Sequence, residues 1–279
     1  MSLTPEFLAM KRAKPIHFAW TYNEETDFAG VRQLVADTGI PVSNADGCIV
    51  GEPTGLELVI AHKGVQSAVV HLHGRAMHSS MSPQACNAIE HGATMVHFLR
   101  DLGREFRTRG PFAEGFPLPY TTVCPAMVQG GIAENTVPAD CRITYEFRNI
   151  PGHGRGEVQQ RIQKFVEATS QEMDKEVSGC HAEVCVSGWS DAFKGRSDTR
   201  VFAALQAASG EALEPVYAPY CTEAPEFETR GVGTVVWGPG GANEHEANEY
   251  VLLEHMQRAE RILRKAVADL TGATRDSQL

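Results

Sequence analysis

Residues 45–76 read ADGCIVGEPTGLELVIAHKGVQSAVVHLHGRA, and the pattern of apolar and polar residues changes inside this stretch. Its first part is a short apolar run, CIV, that leads into the polar loop GEPTG, which is typical of a buried strand followed by a turn. Its second part, LELVIAHKG and QSAVVHLHGRA, alternates apolar and polar residues, which predicts strands with one buried face. The change near residue 57 indicates a boundary between two kinds of architecture.

The two ends of the chain share the first pattern, in which buried apolar runs alternate with helical segments. PIHFAW (15–20) predicts a buried strand, and TDFAGVRQLVADTG (26–39) predicts a helix with a glycine stop. The C-terminal part predicts a helix, a buried strand and an amphipathic helix at 199–210, 234–241 and 251–270. Because strands that alternate with helices favour a parallel sheet, we expect an α/β domain built from residues 1–56 and 191–279.

Residues 57–190 predict a different order of elements. Their periodicity indicates strand, strand, helix, strand, strand, helix and strand, at 56–64, 66–76, 82–106, 121–131, 140–151, 154–173 and 181–189. This order is typical of a compact α+β layer with its helices on one face. We therefore expect an α+β domain inserted into the α/β domain.

Composition excludes several classes of function. The net charge of −10 argues against a nucleic-acid partner, which needs clustered Lys and Arg. The sequence has no apolar run near the roughly 18 residues of a membrane span, so no membrane partner is expected. The seven cysteines are an odd number without CxxC spacing, which argues against a disulfide framework and favours reduced thiols in a cytoplasm.

Three acidic or histidine-containing loops follow apolar runs. They are NEE, GEPT and GGANEHEANEY, at 23–25, 51–54 and 240–250. Open α/β sheets place their sites at the C-terminal ends of strands, and carboxylates with a His are ligand types of a hydrolytic zinc site. Adjacent glutamates in an extended segment point opposite ways, so one can reach a metal and the other a water. Taken alone, each loop is weak evidence for a site: NEE is more typical of a surface turn, and HEANE is more typical of a solvated helix start.

Further polar residues have a functional and a plain interpretation. His71 and His73 share one face of a strand and resemble a metal pair, but a solvated strand face is the favoured interpretation. Arg148, at a strand end, could bind a substrate carboxylate or form a surface ion pair. Asn135 could donate an amide hydrogen bond or shape a turn. His78 could belong to a site or be an ordinary polar loop residue. GPGG lacks the full GxGxxG pattern, so a nucleotide-binding loop has little support. The sequence also lacks a GxSxG elbow, which argues against a serine hydrolase.

In this order the segments resemble the M20 family of metal-dependent amidohydrolases and peptidases. The motifs that carry the resemblance are an EE pair, GEPTGLELVIAHKG, GRAMHSS, GGIAENTVPADC, FRNIPG, CTEAPEF and GPGGANEHEANEY. They cover essentially the whole chain, and the ordered set is specific although each motif is not. The resemblance implies an α/β zinc-hydrolase catalytic domain with an inserted lid or dimerisation domain at 57–190.

The resemblance also implies roles for the acidic residues. Glu24 is expected to be the general base that takes a proton from the attacking water, in the hydrolysis of an N-acyl amide. Glu25 and His245 are expected to hold one zinc ion, and Glu52 is expected to hold a second. The implied cofactor is therefore Zn²⁺, with two ions in an intact family site.

Substrate contacts follow from the same resemblance. His78 is expected to stabilise the oxyanion from across a dimer formed through the inserted domain, and Asn135 to help orient the substrate. Arg148 is expected to hold a substrate carboxylate. The substrate pocket is expected to be lined by Thr222, Glu223 and Ala224.

One departure from the family pattern concerns the beginning of the chain. The family carries an HxD ligand motif and a bridging Asp before the EE pair, and LTPEFLAMKRAKPIHFAW resembles the interior of a family chain. The expectation is a C-terminal fragment, with MSL as a cloning scar, that is inactive alone and binds metal weakly.

Several functions stay open on the sequence. FRNIPG and TEAP favour the branch of the family that removes the acetyl group from N-acetylornithine in arginine biosynthesis. The alternatives are the branches that act on succinyl-diaminopimelate or on dipeptides, and a non-catalytic protein that pairs with an intact enzyme. The expected partners are a small N-acyl amino acid and a second copy of the chain.

Overall fold

The computed structural model describes residues 2–37, 42–241 and 243–273 and divides the chain into two compact units. The first unit contains residues 1–62 and 193–279, and the second contains residues 63–192. The strands of the described residues are β1 (Cys48–Val50), β2 (Leu58–His62), β3 (Val65–His73), β4 (Thr122–Gly130), β5 (Asp140–Arg148), β6 (His181–Ser190), β7 (Phe193–Lys194), β8 (Pro215–Ala218) and β9 (Thr234–Val236).

Seven α-helices are found among the described residues. They are α1 (Thr4–Ala9), α2 (Ala29–Ala36), α3 (Ala88–Arg109), α4 (Arg155–Glu176), α5 (Arg200–Ser209), α6 (Ala224–Glu228) and α7 (Leu253–Thr271). The predicted helix 199–210 is confirmed as α5: Thr199 caps its N-terminus by accepting from the Phe202 N–H, and Gly210 follows with a φ of +75°. The predicted glycine stop at Gly39 lies outside the described residues. Among the described helices, none is long and apolar enough to cross a membrane.

The sheet of the first unit has the order β1-β9-β2-β7, with β8 also pairing with β2. The β1–β9 and β2–β8 pairs are parallel, whereas β2 is antiparallel to both β9 and β7. The expectation of a parallel sheet is therefore wrong, since the sheet is mixed. The reason is visible at His62 and Phe193: the chain leaves the unit after β2 and returns beside it, which makes β7 antiparallel.

The strand β2 also corrects the predicted grouping of elements. The alternation in LELVIAHKG placed this strand with the inserted domain, but all five residues of β2 are buried in the first unit's sheet. A strand covered on both sides reads as a continuous apolar run, and the Leu-Val-Ile-Ala core of β2 has this property. The first unit packs α5 and α7 around buried residues such as Leu205, Trp237 and Ile262.

The second unit is an antiparallel sheet, β4-β5-β3-β6, with α3 and α4 packed on one face. Alternate residues of β3 are buried, and β5 contributes Ile143 and Tyr145 to the same core. Leu99 of α3 and Ile162 of α4 complete the core from the helix side. The predicted elements of this unit are present, and their period-2 and helical patterns match the buried faces.

The predicted strand at 15–20 is wrong. The segment lies outside the strands of both sheets, and Phe18 and Trp20 stack with ring centroids 5.6 Å apart while remaining 40% and 67% exposed. An apolar run becomes a strand only where its backbone N–H and C=O groups find a ladder partner. The apolar pattern of PIHFAW predicted burial, and the described residues provide no ladder for it.

Candidate metal and catalytic site

Two loops of the first unit meet at the C-terminal ends of neighbouring strands. Because β1 and β9 are parallel, the loops that follow Val50 and Val236 leave the same edge of the sheet. The Leu56 N–H donates to the Gly238 carbonyl at 3.0 Å. A Cβ on Gly238 would lie 2.5 Å from the Glu52 carbonyl oxygen, so only glycine allows this approach. The pairing places Glu52 at the strand edge where the sequence predicted a site.

The Glu24–Glu25 pair lies in a turn. Asn23 has a φ of +60°, and its carbonyl accepts from the amides of Thr26, Asp27 and Phe28 at 3.2, 3.2 and 2.9 Å. The expectation of an extended segment with opposed side chains is therefore wrong. Asn tolerates the left-handed conformation better than most residues, which explains a tight turn at this position.

The carboxylates of the first unit act on one another. Burial, as the largest cause, and the nearby charges of Glu24, Glu223 and Glu25 together raise the pKa of Glu52 to about 8. Burial also raises the pKa of Glu24, together with the charges of Glu25 and Glu223, while His245 lowers it. Charges shift a neighbour's pKa in this way only at short range, so four carboxylates (Glu24, Glu25, Glu52 and Glu223) and the His245 imidazole from separate loops form one cluster, which we call the acidic cluster.

Two of the predicted ligands meet at the rim of the acidic cluster. The His245 Nε2 atom lies 3.9 Å from the Glu25 Oε2 atom, and both side chains are about three quarters exposed. Glu25, Glu52 and His245 are not among the groups of three donors that lie within 4.8 Å of one another in the described residues. Carboxylate and imidazole donors suit zinc, and crowded like charges favour a cation, so the residues fit a metal ion held loosely.

Glu223, which the sequence predicted only as a residue lining the substrate pocket, is also a member of the acidic cluster. It is 7% exposed, its Oε2 accepts from the Thr21 hydroxyl at 2.8 Å, and its Oε1 is buried without a hydrogen-bond partner among the described residues. Burial is the largest cause that raises the pKa of the Glu223 carboxyl. A buried carboxylate oxygen without a donor is costly, and a cation or a substrate N–H would satisfy it.

His62 supports the loop that carries Glu223. Its Nε2 lies 3.0 Å from the Thr222 hydroxyl and accepts from the Thr222 N–H at 3.2 Å, and the Thr222 hydroxyl accepts from the Ala224 N–H. Both Thr222 and Ala224 are buried, so their role in a substrate pocket stays a prediction. The supporting positions of Thr21 and His62 carried no signal in the sequence beyond an apolar neighbourhood.

The second unit contains the other three predicted residues. His78 and Asn135 are neighbours, because the Ser79 N–H donates to the Asn135 carbonyl at 2.9 Å and His78 bridges to Thr136. Arg148 ends β5 and pairs with Glu146, with 2.8 Å between Nε and Oε1. The nine residues of β5 separate its two ends by ~27 Å at about 3.4 Å per residue, so Arg148 is remote from the other two.

Donor groups with mutually close atoms occur in the second unit. Among the described residues they are His71, His73 and Asp140 in one group, and Cys86, His91 and Glu176 in another. The sequence named His71 and His73 as a strand-face pair but had no signal for the partners. Neither group overlaps the predicted catalytic set.

A family model described as the peptidase dimerisation domain of M20 matches residues 60–174, most of which lie in the second unit. The acetylornithine deacetylase of Myxococcus xanthus is 34% identical over 92% of this chain and 66% of its own length. That of Buchnera aphidicola (subsp. Schizaphis graminum) is 30% identical over 91% of this chain and 64% of its own length. The chain therefore spans slightly less than two thirds of these relatives.

Solved structures share the fold. The aminopeptidase PepT from Bacillus cereus superposes with a TM-score of 0.69 at 18% identity, covering 90% of this chain and 63% of that one. A tripeptidase from Staphylococcus aureus superposes with a TM-score of 0.66 at 18% identity, with the same coverage. Taken with the acidic cluster and the ordered motifs, these similarities show that the chain belongs to the M20 family and is close to the acetylornithine deacetylases.

Proposed function

We propose that the polypeptide to which this chain belongs hydrolyses N-acetyl-L-ornithine to L-ornithine and acetate, in the cytoplasm and as a step of arginine biosynthesis. The observation that carries the proposal is the acidic cluster, in which the charges of Glu25 and Glu223 raise the pKa of Glu24 and of Glu52, and His245 lies beside them. The named relatives over about 90% of the chain support the choice of substrate.

Zinc is the cofactor that best suits the donors. Glu25 and His245 would hold one ion and Glu52 another; when bound, zinc polarises a carbonyl and lowers the pKa of a water. We infer that this chain alone holds the ions weakly and is inactive, because two of the three donors are largely exposed and the three do not converge within 4.8 Å. Firm structural sites normally have four protein ligands, and catalytic sites have three.

Glu24 is the residue best suited to move the proton. It is half-buried, and its raised pKa brings it nearer to the working pH, where a general base is most effective. In the proposed reaction Glu24 takes a proton from the attacking water and delivers it to the leaving amine. Glu223, with its unpartnered Oε1, faces the same cluster and is suited to accept an N–H of the substrate.

The separation of Arg148 from His78 supports a homodimer. A substrate as small as acetylornithine cannot contact residues at both ends of β5, which are ~27 Å apart at about 3.4 Å per residue. If His78 and Asn135 act on a partner subunit's site, both sets of residues are used. The family match to a peptidase dimerisation domain supports the same arrangement.

The test is a substrate panel on the complete gene product. N-acetylornithine, succinyl-diaminopimelate and dipeptides are compared by kcat/KM with zinc added. We expect acetylornithine to be preferred and Glu24→Gln to lower kcat by about 10²–10⁴-fold, the usual contribution of a general base. Rapid turnover of another substrate, with no turnover of acetylornithine, would assign the chain to another branch of the M20 family. No turnover of any substrate would favour a non-catalytic dimer partner.

A further inference from the structure

A second group of metal-binding side chains lies on the sheet of the second unit, on the face away from α3 and α4. Alternation along β3 buries Val70 and Leu72 against the helices and turns His71 and His73 to the other face. In the sheet register, His73 lies opposite both Asp140 of β5 and His181 of β6.

The side chains of this group converge. The His71 Nε2 atom contacts the Asp140 Oδ2 atom directly. The rings of His71 and His73 have centroids 3.7 Å apart, and those of His73 and His181 stack at 4.5 Å. One donor atom each of His71, His73 and Asp140 lies within 4.8 Å of the others. Imidazole nitrogens and a carboxylate oxygen are therefore brought together on one face of the sheet, and both are ligand types of transition-metal ions.

We propose that His71, His73 and Asp140 form a binding site for a divalent transition-metal ion such as Zn²⁺. Two imidazoles and one carboxylate on adjacent strands are the ligand number and type of a site that keeps an open position. Glu183 lies with its Oε1 atom 3.4 Å from the His73 Nε2 atom, where an outer carboxylate orients a ligating ring. The stacked His181 restricts the same ring from the other side.

The donors can be reached from solvent, because His71 and His73 are half-buried and Asp140 is exposed. Asp140 and Arg142 also line a neighbouring cavity of about 310 Å³. The Arg142 Nε atom lies 3.7 Å from the Asp140 Oδ1 atom, so it offsets part of the carboxylate charge. All of these residues belong to the second unit, so the site does not depend on the proposed deacylase site.

The experiment is a zinc titration of the full chain by calorimetry, with bound metal counted by plasma mass spectrometry after gel filtration. His71→Gln/His73→Gln and Asp140→Asn remove the site, His97→Gln removes an exposed histidine of α3 as the matched control, and Glu25→Gln/His245→Gln disables the acidic cluster. We expect the first two variants to lose one ion per chain, with affinity lowered by more than about 100-fold, since even outer partners cost 10- to 100-fold.

The variants separate the two sites. His97→Gln and Glu25→Gln/His245→Gln are expected to retain the ion, so a failure of the deacylase proposal leaves this result unchanged. Equal zinc stoichiometry and affinity in His71→Gln/His73→Gln, Asp140→Asn and His97→Gln would overturn the proposal. Circular dichroism checks the fold of each variant, and the single Asp140→Asn change decides the question if the double variant misfolds.

Discussion

The two units of this chain place charge in opposite ways. The first unit collects Glu24, Glu52 and Glu223 on loops beside short strands, where burial raises the pKa of each carboxyl. The second unit is made of strands of nine and ten residues, and the charged side chains of its helices pair at the surface. The first unit therefore concentrates like charges at one point, whereas the second unit is stabilised by the regular packing of its helices on its sheet.

The largest effect is expected from the core of the second unit. Ile143→Ala removes a fully buried side chain from β5 and should lower the free energy of unfolding by about 2–5 kcal/mol. Val128→Ala, on the 57% exposed position of the neighbouring β4, should change it by less than ~0.5 kcal/mol. Urea unfolding, monitored by hydrogen exchange of peptides from residues 63–192, measures the free energy of unfolding of each variant. Similar decreases in the two variants would refute regular packing as the source of the second unit's stability.

A smaller effect is expected where the loops of the first unit touch. Gly238→Ala puts a Cβ 2.5 Å from the Glu52 carbonyl oxygen, and the required shift should cost about 1–3 kcal/mol. Gly51→Ala is the control, since a Cβ there meets no atom within 4 Å among the described residues. Thermal unfolding measures the difference. Equal melting temperatures for the two variants would show that the close approach of the loops is not a constraint.

The pH dependence of stability tests the acidic cluster itself. Glu52 has a pKa of about 8 when folded and 4.5 ordinarily, so the folded state binds more protons between these values. The free energy of unfolding of the metal-free chain should therefore fall as pH rises from 4.5 to 8, by about 1–2 kcal/mol after allowing for solvent screening.

Glu52→Gln should flatten this pH profile, and Glu57→Gln, an exposed carboxyl in the same loop, should leave it unchanged. Urea unfolding at a series of pH values with a chelator present measures the slope. A profile for Glu52→Gln as steep as that of the unchanged chain would show that Glu52 is not held near the other carboxylates.

The smallest effect is expected from a surface ion pair in the second unit. Glu105 of α3 accepts from both terminal nitrogens of Arg161 of α4, at 3.1 and 2.7 Å, and both side chains are about 40% exposed. Glu105→Gln should lower the free energy of unfolding by less than ~1 kcal/mol, with a smaller change at high salt. A loss as large as that of Ile143→Ala would contradict the division between packing and surface charge.

Local pattern was enough for elements whose packing agrees with their own periodicity. The strand β3 alternates strictly, α3 carries its apolar stripe over 22 residues, and α5 is bounded by Thr199 and Gly210. The segment 15–20 had an equally apolar pattern but no ladder partner, so it is exposed. The strand β2 was assigned to the wrong unit because period 2 does not tell which sheet a strand joins.

The family, the order of most elements and the residue types of the acidic cluster could be predicted from sequence, because ordered motifs and hydrophobic periodicity are local properties of the chain. Which side chains meet depends on the three-dimensional fold. Glu24, Glu52 and Glu223 come together through the parallel pairing of β1 with β9 and the packing of α6, and His71 meets Asp140 through the register of β3 with β5. Such contacts join residues far apart in sequence, and a local pattern carries no record of register or pairing.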